Sequence, residues 1–302
     1  MSEKQGSRSR EIVGGSVSVI AGIIITVLAV VYLFSEYNII LKGFFATGRV
    51  PGVIMQSFHQ PIFAQVVGVA GVMMIVGGYG FFIKKKWAWL TAFVGSTVGI
   101  FATFLLMMFP LMVLLPMKHV PTFLLCVLTW FVLATYVRPH GWKQVAFSFT
   151  CGMAMVMTFM NGNAAFNKIL GAHYKMATMK PDVPHVGMIK MMTGENPALL
   201  FQSIFPIAWL GALGFFLVTI AVLYRKEWAL PVGLGASIIS IVAGTPVAYV
   251  DTMIDKAGEQ LSMFAFAPIL AVVTLVLLLV FGEKIWAPKE VPLAEKTKEV
   301  SV

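Results

Sequence analysis

Eight long apolar stretches, at residues 13–34, 62–83, 87–115, 120–136, 145–160, 198–223, 228–250 and 263–281, contain none of the chain's 22 Lys and Arg or 13 Asp and Glu. A helix needs about 20 such residues to cross the roughly 30 Å hydrocarbon core of a bilayer, and a charge at its centre costs several kcal/mol. The pattern therefore predicts an all-α, polytopic membrane protein with eight transmembrane helices. The fifth stretch is short, and its helix is expected to run on through Asn161, Asn163 and Asn167 toward Leu170, which gives it a polar outer end. A hydrophobic content of 59% and a mean hydropathy of +0.87 exceed what soluble domains carry, so the bilayer is the first partner of this surface.

Direction follows from the basic residues. With the N-terminus inside, the cytoplasmic pieces hold fourteen of the 22, among them Lys84, Lys85, Lys86, Arg138, Lys143, Arg225 and Lys226, and these seven sit in short loops where the positive-inside rule acts. Both termini are expected in the cytoplasm of a cell-membrane protein, and the polar start MSEKQGSRSR reads as an uncleaved tail. Trp87, Trp89, Trp142, Trp228 and Trp286 adjoin the basic clusters, as interfacial anchors do.

The chain also resembles itself. VPGVIMQSFHQPIFAQ, read as an outer loop, has a counterpart in VPHVGMIKMMTGENPALLFQ, and IKKKWAWL has one in YRKEWALP. Pro51 pairs with Pro184 at an offset of 133, Pro61 with Pro197 at 136, and Trp87 with Trp228 at 141. These matches predict two parallel tandem four-helix repeats, at 13–136 and 145–281, joined by a cytoplasmic linker at 137–144 and flanked by tails at 1–12 and 282–302. Glycines cluster where helices would approach closely, with Gly95 and Gly99 in formal GxxxG spacing.

Several chemistries are disfavoured. Without Asp, Glu, Lys, Arg or His in the spans, a proton relay or an intramembrane haem has no donors to use. No P-loop, G-x-S-x-G or H-E-x-x-H occurs, and the scattered basic residues do not form the basic face that nucleic acid requires. Cys126 and Cys151 lie in apolar runs and read as packing residues.

What remains is outside. His59, His119, His173 and His185 fall on the outer side, with Met188 and Met191 among a run of thioethers. Imidazole with thioether suits copper, so His59, His173, His185, Met188 and Met191 form the candidate metal-ligand set. The first functional expectation is a non-catalytic subunit or scaffold of a membrane complex, docking other membrane subunits through a His- and Met-rich outer face. A facilitator for a small neutral solute is the alternative, and a copper-binding protein or oxidase component the third.

Overall fold

The computed structural model describes residues 2–48, 50–178, 198–255 and 262–286. Among these there is no strand; the elements are α1 (Ser2–Ala46), α2 (Val50–Phe82), α3 (Ala88–Met112), α4 (Val120–Phe131), α5 (Trp142–Thr178), α6 (Ala198–Leu223), α7 (Ala229–Tyr249) and α8 (Phe266–Trp286). A π-helical turn, Val132–Val137, extends α4; another, Val250–Asp255, extends α7; and the 3₁₀ turn Met263–Ala265 leads into α8. Eight of the described helices are long and apolar enough to cross a membrane.

Consecutive helices pack as neighbours: α1 on α2, α2 on α3 and α3 on α4, then α5 on α6, α6 on α7 and α7 on α8. Helices α2 and α3 of the first four also touch α5, and α5 packs along α8. The turns α2–α3, α4–α5 and α6–α7 carry Lys84, Lys85, Lys86, Arg138, Lys143, Arg225 and Lys226, and define a basic end of the bundle. The turns α1–α2 and α3–α4 lie at the far end.

Three helices outrun a bilayer. At 1.5 Å per residue, the 45 residues of α1 span about 67 Å, the 37 of α5 about 55 Å and the 33 of α2 about 50 Å. The segment from Val50 to Pro61, expected as part of a loop, is the first third of α2, and Pro61 sits inside that helix. Proline removes the N–H that would have bonded the carbonyl of Ser57, and the Tyr37 hydroxyl of α1 donates to that oxygen at 3.3 Å instead. The continuation of α5 past Asn161, Asn163 and Asn167 runs on to Thr178.

Helices α1 and α2 touch backbone to backbone. An ideal Cβ on Gly22 would lie 2.6 Å from the Gly71 carbonyl, and one on Gly78 would lie 2.8 Å from the Gly15 carbonyl. The two glycines of each helix are seven residues apart, two turns, so the small positions fall on one seam and let the helices close.

The hairpins α2–α3 and α6–α7 turn alike. Lys84 and Arg225 take φ of 55° and 51°, the left-handed position that usually falls to glycine at a helix C-terminus. In one hairpin the N–H of Lys84 donates to Phe81 O and that of Lys85 to Gly80 O. In the other, the N–H of Arg225 donates to Val222 O and that of Lys226 to Ala221 O. Their interhelical contacts share a register too: Gly77 faces Ala92 where Val218 faces Gly233, and Gly95 faces Met73 where Ala236 faces Gly214.

Trp89, expected as an interfacial anchor, is instead buried in the core. Its Nε1–H donates to Leu133 O at 2.8 Å, its ring stacks on Phe93 at 4.7 Å, and the Arg138 guanidinium lies 5.1 Å over it. The residue is drawn inward because the π turn at the end of α4 presents a carbonyl that an indole N–H can reach. Trp87, Trp142 and Trp228 are exposed beside the basic residues. Cys126 and Cys151 are buried free thiols.

Candidate functional site

At the far end, α2 and α5 run side by side in opposite directions. The contact is pinned at three levels: Phe63 on Phe159 with centroids 5.8 Å apart, His59 on Phe166 at 6.2 Å, and Pro51 within 3.7 Å of where a Cβ on Gly171 would stand. On α2 the residues Gln56, His59, Gln60 and Phe63 follow the i, i+3, i+4, i+7 spacing of one helix face. On α5, Phe159, Asn163, Phe166 and Asn167 form the opposing stripe. The register sets Gln60 across from Asn163 and Gln56 across from Asn167.

This seam is polar, buried and unpaired. Gln56 is 0% exposed and Gln60 1%, with His59 and Asn163 also buried. Neither amide atom of Gln56 has a hydrogen-bond partner, nor do Nδ1 of His59, Oε1 of Gln60, or Oδ1 of Asn163 and Asn167. Toward the basic end an aromatic floor closes the seam: Phe63 packs edge-on against Phe101 and Phe159, and Phe159 stacks on Trp209 at 5.2 Å. Gly162 allows that stack, because a Cβ there would meet the Trp209 indole. One turn of α5 beside it is held firmly, since Nδ2 of Asn161 donates to Gly244 O on α7 and to Phe264 O ahead of α8.

No family model, no curated protein and no solved structure matches the chain. The functional reading therefore rests on its own residues.

Of the copper-ligand set, His59 is not in a loop but on α2, between Phe63 and Phe166. His173 lies on α5, seven residues past Phe166, about 10 Å further along the helix axis. His185, Met188 and Met191 lie outside the described residues. Among the described residues, no three His, Cys, Asp or Glu groups come together as a metal site would need. Sequence reasoning named His59 and the three asparagines, but missed Gln56 and Gln60. Their i, i+3, i+4 spacing around His59 is the available signal, and it is legible only once this segment is read as helix rather than as an outer loop.

A second polar group at the far end ties α1 to the start of α4. Nε2 of His119 lies 3.5 Å from Oε2 of Glu36, Nζ of Lys118 lies 3.7 Å from Oε1 of Glu36, and the Tyr32 ring stands edge-on to His119 at 4.9 Å. Burial, and then the nearby Lys118 charge, push the His119 pKa down to about 4. Between pH 6.5 and about 4 the unfolded chain binds this proton and the folded chain does not, so stability is lost as pH falls through that window. At about 1.4 kcal/mol per pH unit the loss over the whole window is about 3.5 kcal/mol at most. Thermal unfolding followed from pH 7.5 to 4.5 should show a steeper decline for the parent than for His119→Gln, which keeps a polar side chain without the titration. Equal slopes would mean that His119 is not held neutral.

At the basic end, His140 packs beside Trp89 at 5.5 Å. Burial, then Arg138 and Arg225, lower its pKa and keep it neutral. Between the first and second sets of four helices lies a cavity of about 20 Å³, lined in part by Thr97, Trp130, Ser148, Met155 and Thr219 and large enough for about one water.

Proposed function

We propose that the chain is a non-catalytic subunit of a membrane protein complex, set in a cell membrane with its basic end in the cytoplasm. Its far end would dock another membrane-spanning chain through α1 and α2. The apolar outer face of α1 carries this reading. It runs from Ile12 through Ile20, Val27 and Phe34 to Phe45, about 50 Å, against roughly 40–45 Å for a whole bilayer with its headgroups. Phe34 is 81% exposed and Phe45 71%. An aromatic side chain held past the headgroups is in water unless protein covers it, and such surface marks an interaction site. The stripe passes the exposed Asn38 and Lys42 between Phe34 and Phe45 and leads on into the lipid-facing part of α1, so a partner covering it would lie alongside the helix and be itself a membrane protein.

The docking face belongs to a bundle that we read as two tandem four-helix repeats, α1–α4 and α5–α8. The matching turns at Lys84 and Arg225 and the shared register of α2–α3 with α6–α7 support the duplication. In both hairpins a glycine is opposed by a larger residue, on opposite helices in the case of Gly77 and Gly233. A duplicated seam that moves its small residue from one helix to the other keeps the same interhelical spacing.

Extraction in a mild detergent, followed by native mass measurement, tests the docking. The chain should travel with a second membrane polypeptide, and an Ile39→Ser/Phe45→Ser variant should fold and lose it, since both side chains are exposed. A parent chain that travels alone, or only with copies of itself, would remove the heteromeric reading. The alternative of a facilitator for a small neutral solute is favoured by one observation, the small, mostly apolar cavity between the two sets of four helices.

A further inference from the structure

We propose that the α2/α5 seam at the far end is a binding site for a small uncharged molecule that both donates and accepts hydrogen bonds, of the carboxamide type. The proposal does not depend on the docking role of α1, and either can fail without the other.

Orphaned polar atoms in a buried place are costly, and here they are concentrated. Gln56, His59, Gln60 and Asn163 are each at least nine-tenths buried, and each carries an atom without a partner, as does Asn167. An unpaired buried donor or acceptor costs about 1–3 kcal/mol, so a cluster of this size is stable only if something else completes its hydrogen bonds. Facing amides could have bonded one another across the helix pair, yet they do not. The amides lie on two levels about one turn apart, Gln60 and Asn163 on one and Gln56 and Asn167 on the next, a separation that suits a small molecule rather than a long chain.

The chemistry of the lining selects the occupant. Carboxamides and a buried imidazole offer both N–H donors and oxygen or nitrogen acceptors, and the stripe contains no carboxylate, ammonium or guanidinium. A cation would use only the carbonyl oxygens and leave the Gln56 amide nitrogen unanswered. An anion would find donors but no full positive charge in the stripe. The aromatic floor of Phe63, Phe159 and Trp209 supplies an apolar bottom on which the carbon end of a ligand could rest, an arrangement common to small-molecule sites.

Three probes of nearly one shape separate the cases: acetamide, acetate and acetamidinium. Saturation-transfer NMR on the full chain in lipid nanodiscs should give a signal on the acetamide methyl group, with none on the charged pair. Gln60→Leu/Asn163→Leu keeps side-chain bulk and removes orphaned groups, so it should fold at least as well as the parent while binding acetamide about tenfold more weakly. Asn163→Asp keeps the shape and adds a charge, and should move the preference to acetamidinium. No acetamide signal from the parent would mean that water alone fills the seam. That result overturns the proposal, as does equal acetamide binding by the double Leu variant or a parent that prefers either ion.

Discussion

Gly71→Leu is expected to unfold α1 from α2, with a loss of about 4 kcal/mol or more. A Cβ at residue 71 would fall on the Thr26 hydroxyl, and would lie 2.7 Å from the Gly22 carbonyl and 3.1 Å from the Ile25 side chain. Two of these are backbone or first-atom contacts on a helix that cannot rotate away, since the Thr26 hydroxyl is itself bonded to Gly22 O at 2.7 Å. Overpacking costs about 1–3 kcal/mol where side chains can move, and more where the helices must be driven apart. Gly71→Ala should already lose about 2 kcal/mol. Gly68, three residues before it on α2, is the internal control, because a Cβ there meets nothing within 4 Å. Gly68→Ala should be neutral or stabilise by about 1 kcal/mol through helix propensity. Unfolding in mixed micelles, read by circular dichroism, gives the comparison; similar values for Gly68→Ala and Gly71→Ala would show that the seam is not the tight contact described.

Trp89→Ala should be nearly as damaging, with a loss of about 3–5 kcal/mol from the cavity left by a fully buried indole. Three groups from two other places in the chain meet on this ring: Leu133 of the π turn after α4 through its carbonyl, Arg138 at the end of that turn over the face, and Tyr224 from the end of α6 edge-on at 5.4 Å. Loss of the ring thus loosens the junction between the first and second sets of four helices. Trp89→Phe keeps an aromatic ring against Phe93 and gives up the 2.8 Å hydrogen bond, so about 1 kcal/mol should be lost. If the two substitutions cost the same, packing around the indole contributes little and the hydrogen bond carries the junction.

The membrane-spanning character was open in the sequence, because a long apolar run free of charge has few other uses. The glycines were legible as a class, yet not as partners: that Gly22 meets Gly71 depends on the angle at which two helices cross, which composition does not encode. Residues 50–61, an outer loop by sequence, are helical. The helix passes through Pro61 because a hydroxyl on Tyr37, twenty residues before Ser57, takes over the carbonyl that Pro61 leaves free. Trp89 misled for a related reason, since its sequence neighbours are basic and its carbonyl acceptor is 44 residues further on. The polar stripe of α2 becomes visible only when residues 56, 59, 60 and 63 are known to be helical, and its significance only when α5 brings Asn163 and Asn167 to it.

Helix α1 has no proline along its 45 residues, while its partner α2 is interrupted by one. Sharp helix kinks arise at prolines and a few other defects, and an unbroken helix of this length curves only gently. Fastened to α2 by Gly15 against Gly78 and Gly22 against Gly71 on one side of Pro61 and by Tyr37 against Ser57 on the other, α1 acts as a splint: an unbroken rod bridges the place where the hydrogen-bond ladder of α2 is interrupted.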